Sequence, residues 1–412
     1  MRSLFLIMFS FFIIVSCGPS KQLRQAQNMD ATALKRDLNY LASDALRGRE
    51  TGTEDEKKAG DYIAKQMLAA GLTGAGNNHT FVQTFPYTSN PHAMGIKDQS
   101  NPEFGINIVG FYNNMAKNTV IIGAHFDHLG MGGPGSLSTD KNTVHNGADD
   151  NGSGVVALLE LARQAKDLKK DNNYLFIAFS GEEKGLYGSK YYAEHPTIDL
   201  SNVNYMINMD MVGRMHDNKL VIHGTGTSPV WNTTITEKNP YKLDLVLKPS
   251  GVGPSDHTSF YYQDLPVLHF FTGQHEDYHK PSDDVDKINF DGISLVINYI
   301  KYIINEVSSP KKLVFTKTKV EETKAAKFKV TLGVMPDYVY TGEGLKIDGV
   351  QSDRPAEKAG ILRGDILIHM GDIEIKDIYK YMEALSKHQK GDTTKVKVKR
   401  GKEILEMDVT FE

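Results

Sequence analysis

From Thr119 to about Val307 the chain alternates short apolar runs with amphipathic helical stretches, and few folds accommodate that pattern. Val120 to Ala124, Tyr174 to Phe179, Val203 to Met209, Leu220 to His223 and Val267 to Phe271 read as strands. Ser153 to Leu168, Gly185 to Glu194 and Ile288 to Val307 read as the intervening helices. Strands this continuously apolar are covered on both faces, so the expected fold class is α/β, a mostly parallel mixed sheet sandwiched by helices. In such a sheet, ligands bind beyond the carboxyl ends of the strands. Two helices precede it, one from Ala31 (Leu34, Leu38, Leu41) and one from Glu54 to Ala70, stopped by Gly71. The glycines of Leu46-Arg47-Gly48-Arg49-Glu50-Thr51-Gly52-Thr53 mark a loop between them.

With 412 residues, more than one folding unit is expected. Arg2 followed by an apolar run from Leu4 to Val15 has the form of a signal peptide, too short to span a bilayer comfortably. It ends in Ile14-Val15-Ser16-Cys17, which resembles the lipobox of bacterial lipoproteins. Cys17 is the one cysteine of the sequence, so no disulfide can form within it, and the residue reads as a lipid acceptor. The expected segments are a leader (1–17), a tether (18–30), a large first unit (31–307), a linker (308–328) and a second unit (329–412). That reading implies a lipid-anchored protein of the bacterial cell envelope. A net charge of −4 without a basic block argues against nucleic-acid partners.

Acidic and histidine residues gather just past the predicted strand ends. His125 and Asp127 follow the first strand, Asp149 and Asp150 precede its crossover helix, and Glu182-Glu183 follow the second strand. Asp210 ends the third, and Tyr278-His279 lie after the late strand. Asp and Glu are rarely buried unless paired or bound to a cation, so core packing does not account for the set. Imidazole and carboxylate suit zinc, and paired metals bridged by a carboxylate can activate water and polarise a carbonyl. A further carboxylate is then needed to move protons.

His125-x-Asp127, Gly147-Ala-Asp-Asp-Asn-Gly-Ser-Gly154, Glu182-Glu183, Asn-Met-Asp210 and Tyr-His279 together resemble the co-catalytic di-zinc aminopeptidases, the leucyl aminopeptidase and aminopeptidase Y-like enzymes of the phosphorylase/hydrolase-like fold. The resemblance covers residues 31–307 and implies hydrolysis of N-terminal residues from peptides with two Zn2+ per chain. It makes Asp150 the bridge, with His125 and Asp210 on one metal and Glu183 and His279 on the other. Glu182 becomes the general base, Asp127 orients His125, and Tyr278 is a donor to the oxyanion. Preferring Asp150 to Asp149 rests on the family register alone. The resemblance also places a cis peptide at Asp150–Asn151. Asp283 and Asp284 read as helix-leading or surface acids, and His128 as either a support to the ligands or plain packing. Ser255-Asp256-His257 resembles a family motif without an evident role, and His145, His223, His269 and His275 read as ordinary histidines.

Gly130-Met-Gly132-Gly-Pro-Gly135 matches a dinucleotide fingerprint, yet Pro134 and the polar run after it predict a rim loop where that motif needs a helix. Residues 329–412 resemble a bacterial PDZ domain in Leu332-Gly333-Val334-Met335, Gly344 to Ile347, Ala356 to Ile361 and Gly364 to Leu367, with a helix from Ile378 to His388. That implies capture of a peptide C-terminus or a protein partner; a structural cap is the plainer alternative. The rival functions are a glutaminyl cyclase-like single-zinc enzyme and a non-catalytic peptide-binding envelope scaffold.

Overall fold

The computed structural model describes residues 31–87, 103–307, 311–318 and 330–411, leaving aside positions 134, 139, 141, 237–238, 337–339, 341 and 351–353. The expected leader with Cys17 and the tether lie outside the described residues, as do positions 308–310 and 319–329.

The first unit is built on one mixed sheet. Its strands are β1 (Thr73–Gly74), β2 (Val82–Tyr87), β3 (Glu103–Tyr112), β4 (Asn118–His125), β5 (Asn172–Phe179), β6 (Val203–Met209), β7 (Lys219–His223), β8 (Asp244–Lys248) and β9 (Val267–Phe271). They lie in the order β1-β3-β5-β4-β6-β9-β7-β8, with β2 also paired to β3. The central strands β5, β4, β6 and β9 run parallel, as does β7 with β8. Antiparallel pairs flank that centre: β3 on β5, β1 and β2 on β3, and β7 on β9.

Every residue of β4, β5 and β6 is buried, and their side chains divide between two cores with the period of two that a strand imposes. Val120, Ile122, Tyr174, Phe176, Tyr205 and Ile207 enter one core; Ile121, Leu175, Ile177, Phe179 and Met206 enter the other. Gly123 lets the Phe179 ring cross the sheet face, because a Cβ there would lie 2.5 Å from a ring carbon.

Helices α1 (Thr32–Leu41), α2 (Glu54–Ala69), α3 (Gly154–Arg163), α5 (Pro229–Thr236) and α7 (Phe290–Glu306) cover the first core, while α4 (Tyr187–Glu194) and α6 (His257–Tyr261) cover the second. Helix α2 starts on a capping box. Thr53 Oγ1 accepts the Glu56 N–H and Glu56 accepts that of Gly52, satisfying donors the helix itself leaves free.

The second unit is an antiparallel sheet of β10 (Val334–Pro336), β11 (Leu345–Val350), β12 (Ile366–Met370), β13 (Ile373–Glu374), β14 (Thr393–Arg400) and β15 (Glu403–Thr410). Two helices, α8 (Pro355–Lys358) and α9 (Ile378–Ser386), pack on it around Leu332, Ile347, Leu367, Ala384 and Val398. Part of the expected linker is not free chain. Leu313 N–H donates to Asn204, Thr316 N–H to the Thr227 carbonyl, and Phe315 packs on Tyr261, so residues 311–318 lie along the first unit. Leu313 and Phe315 turn toward the first unit and are half-buried, while Val314 between them is exposed.

Candidate metal centre

Because β5, β4, β6 and β9 are parallel neighbours, their carboxyl ends meet along one edge. His125 closes β4, Glu182 and Glu183 follow β5, and Asp210 follows β6. Asp150 stands in the turn Ala148–Ser153 that leads into α3, and His279 in the loop after β9. Gly147, at φ 54°, lets this turn close: a Cβ there would lie 2.2 Å from the Asp150 carbonyl oxygen. The Asp150–Asn151 peptide is cis, as the resemblance implies.

Asp150 sits at the middle. Its Oδ1 lies 3.4 Å from His125 Nε2, and its Oδ2 lies 3.2 Å from His279 Nε2. His125 Nε2 is also 3.4 Å from Asp210 Oδ1, and His279 Nε2 is 3.2 Å from Glu183 Oε2. Potential ligand atoms of His125, Glu182 and Asp210 lie within 4.8 Å of one another, and so do those of His128, Asp150 and Glu183. Adjacent Asp149 faces elsewhere: its carboxylate accepts the Gly213 N–H at 2.6 Å and lies 3.1 Å from His275 Nε2. Geometry thus separates two aspartates that the sequence could not.

The electrostatics are those of a place short of positive charge. Burial, helped by Asp210 and Glu183, pushes Glu182 well above the ordinary carboxylate range against the pull of His125. Asp210 is raised chiefly by burial. Burial would also raise Asp150 and Glu183, but the imidazoles beside them prevail and hold Glu183 at about 2. The same carboxylates overcome burial at His279 and lift it to about 11. Four buried carboxylates served by so few imidazoles fit a site that holds cations, because an uncompensated buried charge is expensive. Imidazole and carboxylate donors are also the set that zinc accepts.

Further residues hold these groups in place. Asp127 Oδ1 lies 3.5 Å from His125 Nδ1 and accepts the Glu182 N–H, while its Oδ2 accepts from Thr51. His128 Nδ1 is 2.8 Å from Glu183 Oε1, so it contacts a candidate ligand. Asp283 is buried, unlike the surface acid expected, since its carboxylate accepts the N–H groups of Asp149 and Asp150. Asp284 accepts from Asn146. Ser255 donates to Asp210 Oδ2 and accepts from Asn208, giving the Ser255-Asp256-His257 segment a contact with the centre. Arg49 is buried beneath, donating to the carbonyls of Leu41, Phe126, Asn146 and Gly147. The Leu46–Thr53 loop carried the signal for Arg49 and Thr51, although not their roles.

An open cleft reaches the centre, lined by Asp150, Glu182, Asp210 and His279 and also by Tyr278, His223 and His269. The last two are therefore not ordinary core histidines, and His275 is tied to Asp149. His145 is buried, with Ser136 hydrogen-bonded to its Nε2. Among the described residues no helix starts in the glycine-rich loop after Leu129; the Gly135 carbonyl accepts from His279 Nδ1, so the segment is a rim that holds a candidate ligand.

Residues 107–304 match the model of peptidase family M28, and residues 319–411 match that of a PDZ domain. Residues 107–304 belong to peptidase family M28. Among curated relatives of the M28 domain, aminopeptidase YwaD of Bacillus subtilis is 30% identical over 290 residues, covering 67% of this chain and 58% of that protein. Leucine aminopeptidase 2 of Trichophyton rubrum is 24% identical over 292 residues, 61% of this chain and 58% of that one. The chain thus spans little more than half the length of the curated relatives it matches. In fold, the M28 domain is similar to BSAP, a zinc aminopeptidase from Bacillus subtilis (TM-score 0.51, 20% identity, 70% of this chain and 98% of that one). The Porphyromonas gingivalis glutaminyl cyclase shares the fold as well (TM-score 0.54, 18% identity, 67% and 98%).

Proposed function

We propose that the M28 domain is a two-zinc aminopeptidase, removing N-terminal residues from peptides. The observation that carries this reading is Asp150, whose two carboxylate oxygens face two different imidazoles, His125 and His279, as a bridging ligand requires. Asp150 would be shared, His125 and Asp210 would complete one site, and Glu183 and His279 the other. Zinc bound there supplies Lewis acidity toward water and the scissile carbonyl.

The chain's own groups do the rest. Glu182 lines the cleft beside this set, and its buried carboxylate takes the proton of the attacking water and returns it to the leaving amine. Asp127 fixes both His125 and the Glu182 backbone, so ligand and base keep their spacing. Tyr278, stacked on His279 with ring centres 3.8 Å apart, lines the same cleft and donates to the developing oxyanion.

Glu182→Gln is the direct test. It should lower kcat on aminoacyl p-nitroanilides roughly 10²–10⁴-fold while zinc content stays that of the wild type. Unchanged turnover would remove Glu182 from the mechanism. Release of pyroglutamate instead of free glutamine from a Gln-initiated peptide would favour glutaminyl cyclisation.

The PDZ domain is proposed to bind a peptide C-terminus or a partner protein beside the peptidase. Cys17 is proposed as a lipid acceptor that anchors the protein in the bacterial envelope. Fatty-acid labelling that is lost in Cys17→Ala tests the anchor.

A further inference from the structure

Strand pairing brings together two histidines that are far apart in sequence. On the β6–β9 ladder Asn208 is opposite His269, and on the β7–β9 ladder His223 is opposite His269, so the three form one row across the sheet. His223 and His269 both line the cleft, their ring centres 5.3 Å apart. Behind them His257 stacks on His269 at 4.5 Å with rings 1° from parallel, and neither ring nitrogen of His257 has a partner among the described residues. None of the three takes part in the chemistry proposed above.

Hydrogen bonding sets the tautomer of His269. Ser255 donates its hydroxyl to Asp210, so it accepts from Asn208 Nδ2 at 2.9 Å. The same amide nitrogen is 3.2 Å from His269 Nδ1, which therefore accepts as well. The imidazole proton is left on Nε2, and a ring that lines the cleft offers it a donor. Burial keeps His269 well below its ordinary value and His223 at about 4, so both rings are neutral near pH 7. Gln274 lines the cleft too, but its Oε1 is buried and offers the cleft no acceptor. Met211, Pro254 and Phe271 complete this end with apolar surface, and among the described residues no Lys or Arg lines the cleft.

We propose that this end of the cleft selects peptides whose N-terminal residue carries a carboxamide, glutamine or asparagine, with His269 and His223 as the specificity-determining residues. The inference rests on the aminopeptidase reading, in which one substrate residue lies on the closed side of the scissile bond. The carboxamide oxygen matches the fixed His269 donor, and its methylene stem meets the apolar wall. A leucine side chain of similar length would leave the His269 N–H unpaired. A glutamate would bring a charge to a wall that holds no fixed cation.

The test compares Gln-, Asn-, Glu- and Leu-p-nitroanilide with the zinc-loaded full chain. Glutamine should exceed leucine in kcat/KM by about ten-fold or more. His269→Phe should reduce that ratio by about the same factor, and His223→Leu should reduce it less, with zinc content confirming an intact centre. Leucine or glutamate preferred by the wild type, or a ratio unchanged in both variants, would overturn the proposal while leaving the peptidase reading in place. Failure of the zinc-loaded chain to cleave any of the four would overturn that reading and the proposal with it.

Discussion

The Asp283 carboxylate accepts the backbone N–H of Asp149 at 3.0 Å and that of Asp150 at 3.0 Å. An acid 133 positions along the chain from Asp150 thus holds the turn that presents it. Burial and the nearby Asp149 lift Asp283 to about 6, so charge is costly there, and its place is justified by the two donors it satisfies.

Asp283→Ala should therefore weaken zinc binding without touching a ligand. Loss of a group that orients ligands from behind typically costs about 10- to 100-fold in metal affinity. Competition against a chromophoric chelator measures it, and wild-type affinity in the variant would contradict the role.

Arg49 makes a second prediction. Its guanidinium joins the carbonyls of Leu41, Phe126, Asn146 and Gly147, tying α1 to the loops that follow His125 and precede Asp150. Burial lowers Arg49 to about 10, partly offset by Asp127, Asp150 and Asp283, so it remains charged near pH 7. Arg49→Met leaves buried acceptors unpaired and should cost about 3 kcal/mol or more. Urea unfolding of the full chain measures this, and a loss below about 1 kcal/mol would contradict it.

Much of this fold could be read before the structure, for a physical reason. Strands β6 and β9 coincide with their apolar runs because they are buried on both faces, where sequence and burial agree residue by residue. Strands β3 and β8 were not read. Glycines interrupt the apolar pattern of β3, and β8 is only half-buried, which blurs the contrast that reveals a strand. The metal-site candidates were legible because each follows a strand end. What stayed hidden depends on pairing across the sheet: His223 and His269 meet only through the β7–β9 ladder, and Asp283 reaches Asp150 only when the late loop folds back.

The PDZ domain carries a pH-dependent contact. Asp365 accepts from Arg400 Nε and Nη2, both at 2.8 Å, and from the Leu362 N–H. Burial would raise this carboxyl, but those bonds outweigh it and hold it below its ordinary 3.8. The folded state then binds fewer protons than the unfolded one as pH falls below about 4. Stability present above that pH is lost as acid protonates Asp365. Scanning calorimetry of the full chain should show the PDZ transition falling at acid pH, with a flatter fall in Asp365→Asn. An equally steep fall in the variant would contradict the assignment.

The most direct test of the proposed two-metal centre is a zinc titration of the metal-free full chain, with aminoacyl hydrolysis and bound metal followed together. Two zinc ions per chain, activity complete only with the second, and free amino acid as product are the predicted results. Full activity with one zinc, or no hydrolysis with two bound, would contradict the account.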